Sequence, residues 1–488
     1  MTMTPAISKT LAIAPLLALL GLSACVSVPP EAHAPVRLAV PAARLPADLA
    51  ASACAAWPAQ PWWQRWGDAQ LDGLVEQALR NSPSLQGAAA RIQAAQAELT
   101  QRRAATQAGA TLEAGTNRQH YSANGLFPPP IGGETYNDFS VQLQGRLPLD
   151  LWGRQRAQVA AAVGEEAARR AEYAQARQLL AAAVVQTYWT LQTDWALQAQ
   201  VAEQAGLQQN LLDDQQRRLT HGLVARDGLL QARQHLAQLR GQQAELGAQA
   251  LRSREALRAL LGTPAAAGPD ALAALQPRAL PAIAAGAPAT LGYELLARRA
   301  DLQAARWRVE ASLSRVEAAQ AAFYPSLDLS ASLGLDSLTL PQLLRSASRT
   351  LMLGPTLSLP VFNGAALRGQ LGEARSARDE LIADYDQRLL DAVRDVAQDL
   401  ATLQGLAEQR EQQQASLQAA AALQQQVQRR LDQGLADRAS LWQARLAWQR
   451  EQQALLQLAG RQLQAEIELT RALGGGFHAE PAASPTQS

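Results

Sequence analysis

Two hydrophobic periods run along this chain, and each occurs twice. Leu112, Ala114 and Thr116 alternate with Glu113, Gly115 and Asn117 across the stretch from Thr111 to Asn117. Phe139, Val141, Leu143 and Leu147 alternate in the same way with Ser140, Gln142, Gln144 and Arg146. Further on, Leu327, Leu329, Ala331, Leu333 and Leu335 alternate with Ser326, Asp328, Ser330, Ser332 and Gly334, and Leu351, Leu353, Leu357 and Leu359 complete the set. A period of two predicts strands with one apolar and one polar face. Lengths of about ten residues fit strands crossing an outer membrane, with lipid on one side and a wet lumen on the other. A half-buried soluble sheet alternates in the same manner, but the chain offers no soluble layer to cover the apolar face. Pro, Gly, Asn and Ser in Gln119–Asp138 and Asp336–Arg349 suit exposed loop tips.

After each strand pair the period changes. Gly153 to Leu219 and Ala365 to Leu431 are dominated by Ala, Gln, Arg, Glu and Leu and contain no proline. As helices each would reach roughly 100 Å at 1.5 Å per residue. Apolar residues follow heptad-like spacing, at Val184, Tyr188, Leu191 and Trp195 in one and at Leu389, Val393, Val396, Leu400 and Leu403 in the other. Each stretch ends at a glycine turn, Gly222 or Gly434, and a second helix returns to Leu261 or Leu473. Upstream, a helical segment opens at Trp62 and runs to about Arg80, where Asn81-Ser82-Pro83 breaks it; Ser84 is placed to cap the next helix, to about Thr106.

The landmarks recur in order at a nearly constant offset of about 210 residues. Arg217-Arg218-Leu219, Gly222-Leu223 and Gln231-Ala232-Arg233 return as Arg429-Arg430-Leu431, Gly434-Leu435 and Gln443-Ala444-Arg445. Leu147-Pro148-Leu149 with Gly153 returns as Leu359-Pro360-Val361 with Gly364, and Leu85-Gln86 returns as Leu302-Gln303. The expected fold is mostly α with a membrane β-barrel portion, internally duplicated as strand, strand and long helical hairpin. Four strands are too few to close a barrel, since the smallest such barrels have about eight. Several copies must therefore contribute strands to one barrel and helices to a tube below it.

The N-terminus adds an address. Lys9 precedes the apolar run Leu11–Leu20, which is too short to span a bilayer. Leu22-Ser23-Ala24-Cys25 resembles a lipobox, implying cleavage before Cys25, lipid on its thiol and, with Val26 next, outer-membrane sorting. The expected segments are 1–24 signal peptide, 25–61 Pro- and Ala-rich extended tether, 62–262 first repeat, 263–289 linker, 290–474 second repeat and 475–488 flexible tail. With two cysteines in all, Cys54 is left without an intramolecular partner, which excludes a disulfide framework. The formal net charge of +1 includes Lys9, the only lysine, so the mature chain is near neutral and carries no footprint for nucleic acid. The five histidines are scattered, with none at metal-ligand spacing, and no phosphate loop or nucleophile elbow occurs. The sequence therefore offers no basis for an enzyme, a metal site or a cofactor beyond the covalent lipid on Cys25.

The opening Trp62-Trp63, Trp66-Gly67-Asp68 and Leu71, the run Leu149-Asp150-Leu151-Trp152-Gly153-Arg154 and the paired glycine turns resemble the TolC-like outer-membrane efflux factors, in their NodT-type lipoprotein branch. The resemblance covers essentially the whole mature chain. It implies a homotrimer with a trimeric α-barrel and a shared 12-stranded β-barrel in outer-membrane lipid. It further implies docking onto a periplasmic adaptor and an inner-membrane pump, and conduction of small toxic compounds without chemistry. Two other functions fit less of the pattern: an outer-membrane conduit of type I protein secretion, and a lipid-anchored periplasmic coiled coil that leaves the strands without purpose. By resemblance the periplasmic tip holds a gate around Arg226, Asp227, Asp437, Arg438, Ser440 and Gln443, with Gly222, Leu223, Gly434 and Leu435 meeting the adaptor. Related channels often carry carboxylates just after the second turn, where this chain reads Ser440 and Gln443. Asp437 and Arg438 are expected to help hold the resting tip closed, the alternative being solvated helix-end charges. Leu223 and Leu435 are alternatively local hydrophobic caps.

Overall fold

The computed structural model describes residues 27–31, 34–38, 57–263, 272–283 and 298–478. The expected signal segment, Cys25, Cys54, most of the linker and most of the tail lie outside the described residues. A short 3-10 helix, Trp62–Trp66, leads into α1 (Ala69–Asn81) and α2 (Pro83–Ala104), then β1 (Gly109–His120), β2 (Thr135–Leu149), α3 (Arg154–Thr220) and α4 (Arg226–Leu260). The second repeat runs α5 (Ala300–Ala321), β3 (Ser326–Ser337), β4 (Arg349–Ser358), α6 (Gly364–Asp432) and α7 (Arg438–Ala472). The expected duplication is met closely: the outgoing helices have 67 and 69 residues, and the returning ones 35 each. Two expectations fail: the strands run into the expected loops, taking in Gln119–His120, Thr135–Asp138, Asp336–Ser337 and Arg349, and the capping serine is a different one. Ser84 lies inside α2, and Ser82 caps it instead, its carbonyl accepting from Gln86 N at 3.1 Å. Pro83 stands at the first helical position, where a missing N–H costs nothing.

Cα packing divides the chain into two compact units, one built on residues 91–169 and 305–385, the other on 57–90, 170–304 and 386–478. Each draws on both repeats.

The first unit holds a single antiparallel sheet in the order β1-β2-β3-β4. Its register is unbroken, from Gly109↔Arg146 to His120↔Thr135, from Phe139↔Ser337 to Leu149↔Leu327 and from Ser326↔Ser358 to Leu335↔Arg349. Opposed residues share a face, so Leu112, Leu143, Leu333 and Leu351 line up across all four strands. This apolar face lies open: Leu112 is 69% and Leu353 70% exposed. At the helix end of the sheet, Trp152 stacks on Tyr324 with ring centroids 4.9 Å apart, and its indole N–H donates to the Pro325 carbonyl at 2.9 Å. The N-terminal stretch is pinned in the same unit. Glu31 pairs with the buried guanidinium of Arg378, Arg375 donates to the Pro29 carbonyl at 3.0 Å, and Arg37 meets Glu310 at 3.1 Å. Hydrogen bonding from Arg378 holds the Glu31 carboxyl below its usual range despite desolvation. These contacts fix Pro29, Glu31 and Arg37 within the stretch that composition reads as a tether.

The second unit has its core where Trp62, Trp63, Leu71, Leu74 and Val75 pack on Val184, Val185, Tyr188, Trp189 and Leu191. The heptad-like positions of both long helices lie there and in the cluster of Leu389, Ala392, Val396, Leu400 and Leu403, all buried except Trp195 and Val393, which are half-buried against them. Close helix approach is carried by Gly460, where a Cβ would lie 2.7 Å from Thr193 Cγ2. Asp68 ties the N-terminal aromatic segment to α3. It caps α1, accepting from Gln70 N at 2.9 Å and Leu71 N at 3.4 Å, and accepts from the Tyr188 hydroxyl at 2.5 Å. Burial, reinforced by the Asp68 carboxylate, pushes the Tyr188 hydroxyl well above its ordinary value. Replacing Asp68 by Ala removes a cap and strands a buried phenol, for an expected loss of about 2–4 kcal/mol. Tyr188→Phe, which keeps the cap, should lose less. Denaturant unfolding followed by helical signal checks this; equal losses in the two variants would refute the shared role.

Candidate functional site

The two helical tips lie in the second unit. At the first, the chain leaves α3 through Gly222 at φ 69°; at the second it leaves α6 through Gly434 at φ 72°. Leu223 N donates to Arg218 O and Gly222 N to Leu219 O, each at 2.9 Å. Leu435 N donates to Arg430 O at 2.7 Å and Gly434 N to Leu431 O at 3.0 Å. Both are Schellman ends, which need a left-handed residue and hence glycine. Such a turn usually packs its next residue back onto the helix. Here Leu223 is 72% and Leu435 65% exposed, so neither acts as a local cap.

The charges differ between the tips. Asp437 is the N-cap of α7, accepting from Ser440 N at 2.9 Å and Ser440 Oγ at 2.6 Å. Its second oxygen accepts from Arg218 at 2.7 Å, and Arg218 also meets Asp214 at 2.8 Å. The Ser440 hydrogen bonds, then Arg218, draw the Asp437 carboxyl down to about 2. Arg438, Arg226 and Asp227 are exposed and hold no ion pair among the described residues. Of the two residues expected to help hold the tip closed, Asp437 pairs with Arg218, while Arg438 is the first residue of α7 and is exposed. Ser440 supports the cap, and Gln443 is exposed. Arg218 was missed because its partner lies 219 residues away and in the other repeat.

Aligning Gly222 with Gly434 sets Ala225 opposite Asp437, Arg430 opposite Arg218 and Gly228 opposite Ser440. The first tip therefore has no side-chain cap at Ala225, and the Arg218–Asp437 pair has no counterpart within the chain.

The sheet sorts its charges by face. Glu113, Asp138, Arg146, Asp328 and Asp336 all lie on the polar face, with Arg146 on Asp328 at 2.7 Å. The apolar face carries two charged residues, Arg118 and Arg349, both toward the loop end. An arginine on a lipid-facing strand costs about 2–4 kcal/mol at mid-membrane and about 0–1 kcal/mol at its edge. That gradient allows these arginines where they stand and nowhere deeper. Among the described residues no helix is long and apolar enough to cross a membrane, and no group of His, Cys, Asp and Glu is placed to hold a metal.

The family described as outer membrane efflux protein matches residues 74–263 and 291–475. The multidrug resistance outer membrane protein MdtP of Escherichia coli K12 is 37% identical over 437 residues, 88% of this chain and 89% of its own. Among solved structures, the outer membrane protein VceC of Vibrio cholerae superposes with a TM-score of 0.77 at 31% identity, over 86% of this chain and all of its own. The outer-membrane channel OprN superposes with a TM-score of 0.81 at 26% identity, over 92% and 99%. With a duplicated strand-and-hairpin fold, an uncovered membrane-type sheet and a family match along both repeats, this chain belongs to the outer membrane efflux protein family.

Proposed function

We propose that this chain is the outer-membrane channel of a tripartite efflux assembly, passing small toxic compounds from an inner-membrane pump and periplasmic adaptor to the outside. The carrying observation is the sheet: four strands, an apolar face without cover, and open edges at β1 and β4. Three copies bring three times four strands, enough to close a barrel. The names of multidrug resistance relatives support the cargo class. Lipid on Cys25 is part of the proposal and rests on the Leu22-Ser23-Ala24-Cys25 motif. Deleting the gene in a strain without parallel channels should raise susceptibility to several amphiphilic drugs by several-fold, restored by the wild-type copy; unchanged susceptibility in that strain refutes the efflux reading.

At the tips, the Arg218–Asp437 pair is the clasp of the resting state, joining α3 of one repeat to α7 of the other. Asp437→Ala or Arg218→Ala should raise single-channel conductance in planar bilayers, whereas Arg438→Ala should leave it near wild type. Unchanged conductance in both clasp variants sinks the assignment. A depressed carboxyl pKa means the pair's stabilisation is full above the usual carboxylate value and is lost only as pH falls toward about 2. Conductance should accordingly stay flat from about pH 5 to pH 8.

Leu223 and Leu435 are the adaptor-facing side chains, together with the backbone at Gly222 and Gly434. Leu223→Ser with Leu435→Ser should weaken adaptor co-purification markedly while leaving melting of the isolated channel unchanged. Retention of full adaptor binding would remove them from the interface.

A further inference from the structure

The two arginines of the apolar sheet face form no ion pair among the described residues. Register fixes where they lie. Arg349 stands level with Leu335, Val141 and Ala114, and Arg118 stands level with Asn137, on the same face and beyond Thr116 and Phe139. Below them that face is uncharged, mostly Leu, Val, Ala and Phe with Thr116, Gly145 and Pro355, down to Leu327, Leu149 and Leu357. Every acidic residue of the four strands is on the opposite face, and neither arginine forms an ion pair among the described residues. Both are exposed.

Their end of the sheet is the outer one. The long helices leave from the other end, at Trp152 and Tyr324, whereas this end carries the loops and the ring cluster of Tyr121, Phe127 and Tyr136. Arg118 and Arg349 also occupy the two edge strands. Within one chain they are three strand spacings apart and four residues out of register, roughly 20 Å. Closing the barrel from several copies would set β4 of one beside β1 of the next, so that the two strands carrying Arg349 and Arg118 adjoin. Basic residues from both edges then border each seam, toward the lipid headgroups.

We propose that Arg118 and Arg349 bind the phosphate groups of the anionic glycolipid that forms the outer leaflet, one lipid bridging each seam between copies. Charge complementarity selects this occupant: the cations face lipid, at headgroup depth, with no acid on their face to neutralise them. Guanidinium groups suit bidentate phosphate contact. The inference rests on the membrane-channel reading of the sheet.

The test uses the full-length protein in detergent, with bisphosphorylated lipid A as probe and dephosphorylated lipid A and inorganic phosphate as controls. Bisphosphorylated lipid A should raise the unfolding temperature of the wild-type assembly by several degrees, and the controls should not. Arg118→Ser with Arg349→Ser should abolish most of that shift, while Arg118→Lys with Arg349→Lys should retain much of it. Equal stabilisation of the Ser variant, or of the wild type by dephosphorylated lipid A, overturns the proposal; an equal effect of inorganic phosphate overturns the lipid as occupant. Should the Ser variant fail to assemble, the wild-type and Lys comparisons still decide. Conductance of the same preparation in planar bilayers is read separately: pores without a lipid A effect refute this inference alone, and absent pores refute the channel reading.

Discussion

An unpaired strand edge cannot persist in hydrocarbon. Each open N–H or C=O there lacks water and costs several kcal/mol. The sheet ends in two such edges, β1 and β4, and its apolar face has no cover among the described residues. Every other large feature follows from removing that penalty. Duplication supplies the second strand pair, and each pair is continued by a helical hairpin; in the proposed assembly other copies would supply the remaining pairs. Glutamine and alanine on the helix flanks suit this arrangement. They allow close approach and hydrogen bonds such as Gln204 to Gln453 at 2.8 Å without burying charge.

The scaffold is nearly two-fold, but its chemistry is not. Helix lengths, the glycine turns and their hydrogen bonds repeat within a residue or two. What differs is a handful of side chains at the tips, and the difference is decided by capping. A helix start needs an acceptor for its free N–H groups. Asp437 provides one and still has an oxygen to spare for Arg218; Ala225 provides none. One substitution thus converts a helix cap into a link between repeats, leaving the equivalent seam without it.

The strands and helices were legible because their periods are long and unmixed. Parity assigned the central strand residues to their faces, and that assignment survives in the register, whereas the strand ends at Gln119–His120, Thr135–Asp138, Asp336–Ser337 and Arg349 were read as loop because their polar residues break the alternation. The helical hairpins were bounded by proline-free runs and Gly222 and Gly434. Less legible were features that depend on distant partners. Nothing local distinguishes Arg218 from Arg217, and only the fold brings Asp437 to it. Glu31 sits in a Pro- and Ala-rich stretch whose composition describes a loose chain, and only the fold brings Arg375 and Arg378 to it. The cap at Ser82 was within reach, since Pro83 is suited to the first helical position, and Ser84 was the wrong serine to choose.

Charge sorting across the sheet follows from the same constraint as its edges. A strand face that must meet lipid can hold arginine only near the headgroups, whereas the polar face is free to hold charge at any depth. Along β1 to β4 that freedom has been used for acids: Glu113, Asp138, Asp328 and Asp336 stand against the single cation Arg146, itself paired to Asp328. At the tips the balance is different. Ser440 and Gln443 occupy the positions where resemblance leads one to look for carboxylates, and Asp437 is neutralised by Arg218. Negative potential is therefore concentrated on the polar side of the sheet rather than at the helical turns. Unpaired carboxylates set such a potential, and a paired one contributes little beyond the Debye length of about 8 Å at physiological salt. In the proposed channel, a short directional ion pair would then hold the tip by contact, and the strands would set the electrostatic character of whatever passes.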